Sequence, residues 1–479
     1  MNIGIRTDKN DFFYDIHSLV KSFFPDDDVA IFSEDDEEKC ACPRDLTIRV
    51  AIPPAYERRK DAKDLLKREL YETLSAYTEQ RLPWGMLSGI RPTKIPMQML
   101  REGQSEEACV RYLMEEDFVS EEKARLAAEI AGRERALLAP FSLDKDSYSL
   151  YVHIPFCPSI CLYCTFSSSP ASVWKKQADA YLKALETEMR RERDAMHAEG
   201  NRRGPTTVYI GGGTPTTLTA PQMERLLTSI EEIWDLRETV EYTVEAGRPD
   251  SFSEDVLGVM KRHGVTRISV NPQTMNDDTL TRIGRRHTSS DVRRAFSMAR
   301  EAGFDNINMD IILGLPGEGE PELARTLEEI EKLSPEALTV HSLAVKRASR
   351  LRLNILEDRE LDISADRGAY RGYSLGASNA LMDEASRSAR GMGMVPYYLY
   401  RQKNMRGNLE NTGFALPGRA CLYNILIMEE VQSIKAFGAG ASTKRVYEDG
   451  RIERTISPKD VTLYMERVME TCDGKNRRL

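Results

Sequence analysis

The sequence predicts an α/β protein whose centre is a partial parallel barrel of six β/α units, set between an α+β module and a C-terminal segment. Three observations carry this. From Ser149 onward, short β-rich apolar runs alternate with long amphipathic segments. Glycines, Gly264 and Gly303 among them, stand where two of those segments should stop. Chemically distinctive residues follow the runs, as expected where strands of a parallel sheet, doubly wound or barrel-like, all end on one side.

Residues 1–145 form the first expected domain. Leu46 to Ala51 has strand character, and Asp61 to Ala76 places Leu66, Leu70 and Leu74 on one helix face among charges. The acidic stretches Asp26 to Asp28 and Glu34 to Glu38 suit a solvated loop. A glycine-rich, proline-broken stretch, Trp84 to Lys94, precedes two more helical patterns. The barrel is expected over 146–345, with strands at Leu150 to Ile154, Thr207 to Ile210, Glu241 to Glu245, Arg267 to Val270, Asn306 to Ile311 and Ala337 to Val340. Helices are expected at Lys175 to Ala195, Pro221 to Trp234 and Ser290 to Ala302. The remainder, 346–479, is expected to be mostly helical and to cover the substrate.

Composition narrows the class. The 479 residues include 41% hydrophobic and 30% charged side chains, and no apolar run reaches the ~18 residues of a membrane span. Met1 to His17 mixes Arg6, Asp8, Lys9 and Asp11 with apolar residues, unlike a secretory leader, so a cytoplasmic location is expected. A net charge of -9 argues against a nucleic-acid-coating protein. Three of the eight cysteines fall between Cys157 and Cys164, which points to metal binding in a reducing compartment. Cys40, Cys42, Cys109, Cys421 and Cys472 read as free thiols.

The strand ends hold the chemistry. After the first comes Cys157, Cys161, Cys164, a C-x3-C-x2-C loop lacking a fourth cysteine. His153 could complete a zinc site, whereas an open fourth position describes a four-iron cluster with one iron left for a ligand. Gly211 to Gly213 and Thr214 follow the second strand, where glycine permits positive φ and close backbone approach. Glu245 ends the third strand, Asp310 the fifth, and Asn271, Gln273 and Arg285 follow the fourth. Thiolates, carboxylates, an amide and an arginine at one end of a sheet suit a polar zwitterionic ligand.

The cysteine loop with Gly-Gly-Gly-Thr-Pro resembles the radical S-adenosylmethionine (SAM) superfamily. Tyr151 to Cys157, Tyr-Val-His-Ile-Pro-Phe-Cys, is similar to its coproporphyrinogen oxidase-like branch. Trp84 to Lys94, Val244 to Asp250, Val340 to Ser349 and Pro396 to Gly413 resemble the HemZ type of oxygen-independent coproporphyrinogen III dehydrogenase. The resemblance implies a TIM-like radical SAM barrel, a 4Fe-4S cluster on Cys157, Cys161 and Cys164, and one or two SAM molecules on Tyr151, Tyr163, Gly212, Gly213, Thr214, Glu245, Gln273, Arg285, Asp310 and Ala344. Tyr151 and His153 are candidate catalytic groups. The implied reaction cleaves SAM with one electron from a flavodoxin or ferredoxin and converts two propionates of coproporphyrinogen III to vinyl groups, giving protoporphyrinogen IX in anaerobic haem biosynthesis.

A substrate with four carboxylates calls for local positive charge. Lys346, Arg347, Arg350 and Arg352 follow the sixth strand, and Arg401, Lys403 and Arg406 flank Tyr397, Tyr398 and Tyr400, so Lys346, Arg347, Arg350 and Arg401 are candidate propionate contacts and the tyrosines candidate stacking partners. One departure stands out: some members carry a further cysteine where this chain has Phe166, and the stretch resembles the haem-chaperone relatives. A haem-binding chaperone, another radical SAM reaction on a tetrapyrrole, and a non-enzymatic iron-sulfur carrier or zinc module are the rival readings.

Overall fold

The computed structural model describes residues 1–25, 27–36, 39, 42–53, 57–141, 143–144, 146–344, 349–351, 378–402, 409–470 and 472. Near the N-terminus β1 (Asn2–Thr7) lies between β2 (Asp28–Ser33) and β3 (Leu46–Val50), and both pairings are parallel. The helix Phe13–Phe23 joins β1 to β2, so this part contains a βαβ unit. Ile3 and Ile5 of β1 pack on Ile16, Leu19 and Val20 and on Leu66, Leu70 and Leu74 of the helix Arg59–Thr78, a core separate from the barrel's. Asp28 starts a strand, although the acidic stretch around it reads as loop.

Three helices, Lys94–Arg101, Glu106–Glu115 and Glu121–Leu138, complete the N-terminal part. Ser105 and Ser120 cap the last two by accepting from the backbone N–H three residues on.

All six expected barrel strands are present: β4 (Tyr148–Ile154), β7 (Thr207–Gly212), β8 (Glu241–Glu245), β9 (Arg267–Ser269), β10 (Ile307–Leu313) and β11 (Ala337–Ser342). They pair in parallel and in chain order. The short pair β5 (Phe156–Cys157) and β6 (Ser169–Pro170) brackets the cysteine loop. The period-two rule divides each strand. Val208 and Ile210, Ile268, Met309 and Ile311, and Leu338 and Val340 point to the surrounding helices. Their neighbours Tyr209, Arg267, Ser269, Asn308, Asp310, Thr339 and His341 line the concave face. Gly264 and Gly303 stop their helices at φ of 72° and 87°, as expected of αL caps.

Among the described residues the C-terminal part holds strands as well as helices, and its strands are continuous with the barrel sheet. β12 (Val395–Tyr400) pairs antiparallel with β13 (Asn411–Ala415), which in turn runs antiparallel to β11. At the other edge β14 (Ser433–Phe437) adds a seventh parallel strand beside β4, followed by β15 (Ser442–Val446) and β16 (Ile452–Ile456). The result is one open sheet of eleven strands.

Candidate active site at the carboxyl ends of the parallel strands

A cavity of about 360 Å³ opens where β4 and β7 to β11 end. Cys157, Cys161 and Cys164 form part of its wall, and Cys161 is the most enclosed of the three. The loop is pinned from several sides. Leu162 N–H donates to Ile283 O at 3.0 Å, Ser159 Oγ donates to Gly284 O at 2.8 Å, and Thr214 Oγ1 lies 3.5 Å from Cys157 Sγ. Burial pushes the Cys157 thiol up, and the Thr214 bond works against that.

The glycine turn has a more specific role than openness to a ligand. Gly212 has φ 103°, and a Cβ there would stand 2.4 Å from the His153 ring. A Cβ on Gly213 would meet Phe156 O at 2.7 Å and Ile154 O at 2.8 Å. Missing side chains therefore let β7 close against β4 and the cysteine loop, and Thr214 reaches Cys157 as a result.

Two carboxylates face the cavity in different states. Burial drives the Glu245 carboxyl up to about 7, opposed by Tyr209, whose hydroxyl donates to Oε1 at 2.6 Å. Burial also works against the charge of Asp310, but His341, Asn308 and Thr339 hold its carboxyl below the usual range. Asn308 Nδ2 donates to Asp310 Oδ1 at 2.7 Å, and His341 Nε2 stands 3.8 Å from Oδ2. Gln273 holds its place with φ 67° and a bond from its N–H to Asp310 O. Arg285 Nη1 donates to Asn271 O at 2.6 Å; burial opposes its charge, and Tyr163 and Cys161 outweigh it and raise the guanidinium's pKa.

Cys157, Cys161, Tyr163, Cys164, Gly212, Gly213, Thr214, Glu245, Gln273, Arg285, Asp310 and Ala344 all line this one cavity. Tyr151 and His153 do not line it. His153 is buried, with Nε2 donating to Ser167 O at 3.1 Å and Nδ1 accepting from Tyr151 OH at 3.1 Å. Burial lowers its pKa against the Ser167 bond, so both nitrogens of a neutral ring are engaged. Tyr151 stacks on Tyr209 and Tyr423 behind the wall. These two residues position the wall; they do not face its interior.

Arg401 is a correction. Tyr398, Tyr400 and Gln402 face the cavity, so Arg401 points the other way, where its guanidinium donates to Leu87 O and lies over the Trp84 ring. Charge selected it from the sequence, and strand alternation removes it. Arg350 is exposed and does not line the cavity. Lys346, Arg347, Arg352, Lys403 and Arg406 lie outside the described residues.

Sequence reading missed Arg248. It is 4% exposed, donates to Ser159 O and Oγ at 3.0 Å each, approaches Cys161 Sγ at 3.7 Å, and forms a two-point ion pair with Asp250. The signal was its place three residues beyond Glu245, in the loop that meets the cysteine loop.

For a 4Fe-4S cluster with SAM, the residues fit. Three thiols line one cavity, and among the described residues that line it no fourth cysteine joins them. Asn271 Oδ1 and Arg285 Nε, which line the same cavity, are buried without hydrogen-bond partners among the described residues, as polar groups awaiting a polar ligand would be.

Comparison with known proteins agrees. Residues 151–330 match the Radical SAM superfamily. The oxygen-independent coproporphyrinogen-III oxidase-like protein HemZ of Bacillus subtilis is 39% identical over 425 residues, covering 88% of this chain and 82% of that protein. Heme chaperone HemW of Lactococcus lactis is 34% identical, covering 61% and 69% respectively. Coproporphyrinogen III oxidase (HemN) from Escherichia coli superposes with a TM-score of 0.51 at 21% identity, covering 71% of this chain and 73% of that one, which bears on the fold. No described helix is long and apolar enough to cross a membrane. The chain belongs to the oxygen-independent coproporphyrinogen III oxidase-like family of radical SAM proteins, whose cofactors are a 4Fe-4S cluster and SAM.

Proposed function

We propose that this protein is an oxygen-independent coproporphyrinogen III dehydrogenase, removing one hydrogen atom, one carbon dioxide and one further electron from each of two propionates to leave vinyl groups, the electron passing to a one-electron acceptor. The observation that carries the reading is the convergence of the cysteine loop, Glu245, Gln273, Arg285 and Asp310 on one cavity that Tyr209, Tyr398 and Tyr400 also line. When bound, the cluster and SAM supply one-electron reductive cleavage and hydrogen abstraction, with a flavodoxin- or ferredoxin-like protein as reductant.

The chain's own residues bind, orient and exclude water. Cys157, Cys161 and Cys164 hold the cluster, on a loop fixed by Arg248, Ser159 and Thr214. Arg285 would take the methionine carboxylate, and Glu245 and Asp310 would receive the ammonium and ribose hydroxyls. Tyr398 and Tyr400 offer flat faces to a macrocycle. Asp310, kept ionised by His341, attracts a cationic group at neutral pH, whereas Glu245 near 7 accepts or releases a proton as its surroundings change.

A second reading has its own support. Phe166, at the cavity mouth, is 71% exposed where some members have a cysteine, and the chain also resembles proteins named heme chaperones. Anaerobic incubation of the reconstituted, reduced protein with SAM and coproporphyrinogen III separates the two. Loss of two carboxyl groups together with 5′-deoxyadenosine supports the dehydrogenase; intact porphyrinogen with stoichiometric haem binding replaces it with the chaperone.

A further inference from the structure

The concave face of the sheet carries a cation that the cysteine loop does not use. Arg267 opens β9, two residues and so about 7 Å of strand below Ser269. It is 2% exposed and lies on the cavity wall with Tyr209, Asn308, Thr339, Tyr398 and Asn424. Among the described residues neither its Nε nor its Nη2 has a hydrogen-bond partner.

The carboxylate that acts on Arg267 from nearby, Glu241, is engaged elsewhere. Its oxygens accept from Leu422 N–H at 2.6 Å, Tyr423 N–H at 3.2 Å and Cys421 Sγ at 3.3 Å, at the start of the helix Leu422–Glu429. Glu241 thus serves the N–H groups at the start of that helix, and among the described residues Nε and Nη2 of Arg267 are left without an acceptor. Buried N–H groups without acceptors cost free energy that an incoming anion recovers. The planar fork of N–H donors on an arginine matches a carboxylate at two points.

We propose that Arg267 anchors a carboxylate at the floor of the cavity, namely one propionate of the tetrapyrrole, and so helps set which substrates are accepted. The assignment rests on the tetrapyrrole reading above. The other carboxylate in the cavity, that of SAM, has a nearer cation in Arg285, which stands against Cys161 and Tyr163 at the rim. Tyr398, with Tyr400 and Tyr209, walls the descent from rim to floor, so a pyrrole edge passes between aromatic faces with its propionate leading.

The test uses the full-length holoprotein with three probes: coproporphyrin III by fluorescence titration, SAM by equilibrium binding, and sodium propionate by thermal shift. Arg267→Gln is expected to weaken coproporphyrin III binding about tenfold or more, to leave SAM binding within about twofold, and to abolish stabilisation by propionate. Arg267→Lys, which keeps the charge but loses the fork, falls between, and it carries the test if the glutamine variant does not fold. Unchanged coproporphyrin III affinity in either folded variant overturns the proposal, as does a loss confined to SAM. If the wild type binds no coproporphyrin III but propionate stabilises it through Arg267, the carboxylate site stands and the tetrapyrrole reading falls. If propionate stabilises wild type and variant equally, Arg267 is not the anchor.

Discussion

The rim and the floor of the cavity are built by different means. The rim is made of loops that follow strands: Cys157 to Cys164, Gly212 to Thr214, Asn271 to Arg285. The floor is made of single side chains two residues apart on separate strands, such as Arg267, Asn308, Thr339 and Tyr398. Rim residues are contiguous, so a motif announces them. Floor residues have meaning only once the strands are registered. Arg401 and Arg267 show the cost of ignoring this: both are buried arginines in strand-like sequence, and the side of the sheet each faces decides whether it meets the cavity.

The comparison can be broken most severely at the rim. Cys161→Ala is expected to abolish cluster binding and all SAM cleavage, checked by iron and sulfide content and by the low-temperature electron paramagnetic resonance signal. Wild-type iron content in that variant would remove the cysteine loop from the site.

Glu245 gives a graded test. Its folded pKa, raised by burial to about 7, exceeds the unfolded carboxyl value, so the stability it contributes is fully present below the unfolded pKa and is lost as pH rises through about 7. Thermal melts of the ligand-free protein should therefore fall across that window, and Glu245→Gln should flatten the fall. SAM affinity should run the other way and strengthen as the carboxylate forms. A variant with an unaltered pH profile would assign the titration to another group.

Arg248→Gln should keep the cluster but lower its reduction potential, because a cationic donor near Cys161 Sγ favours the more negative, reduced state. A tenfold drop in the reduced fraction at fixed donor potential, about 59 mV for one electron, is the expected scale in a spectroelectrochemical titration. No change in potential would limit Arg248 to holding Ser159 in place. The smallest effect on ligands is expected from Arg401→Gln: about 1 to 3 kcal/mol of stability from lost buried bonding, measured by denaturant melts, with tetrapyrrole affinity within about twofold. A tenfold loss of affinity would return Arg401 to the substrate site.

Much of the barrel was legible because its strands and helices are locally encoded. All six strands carry apolar outward residues, and the helix stops at Gly264 and Gly303 have φ values suited to glycine. The rim was legible for the same reason. β14 was not, since Ser-Ile-Lys-Ala-Phe is a weak strand signal on its own and owes its conformation to β4. β1 was within reach, with Ile3 and Ile5 alternating, but its neighbour β2 begins in an acidic stretch that composition assigns to solvent. Arg248 and Arg267 escaped because their informative contacts are not local: beyond its neighbour Asp250, one meets Ser159, 89 residues away, and the other meets a cavity.

The seventh strand sets an order of events during synthesis. β14 closes against β4 with Gln432 Nε2 bonded to Ser149 Oγ across 283 residues, and Gly438 at its end comes close enough to His153 O that a Cβ would stand 2.6 Å away. Until the ribosome has made residue 438, the strand that carries the cysteine loop has an open edge, and the histidine beneath that loop lacks its backing. A finished pocket for iron and sulfide therefore exists only once residue 438 has been made, and until then the open edge of β4 is exposed to proteolysis and edge pairing.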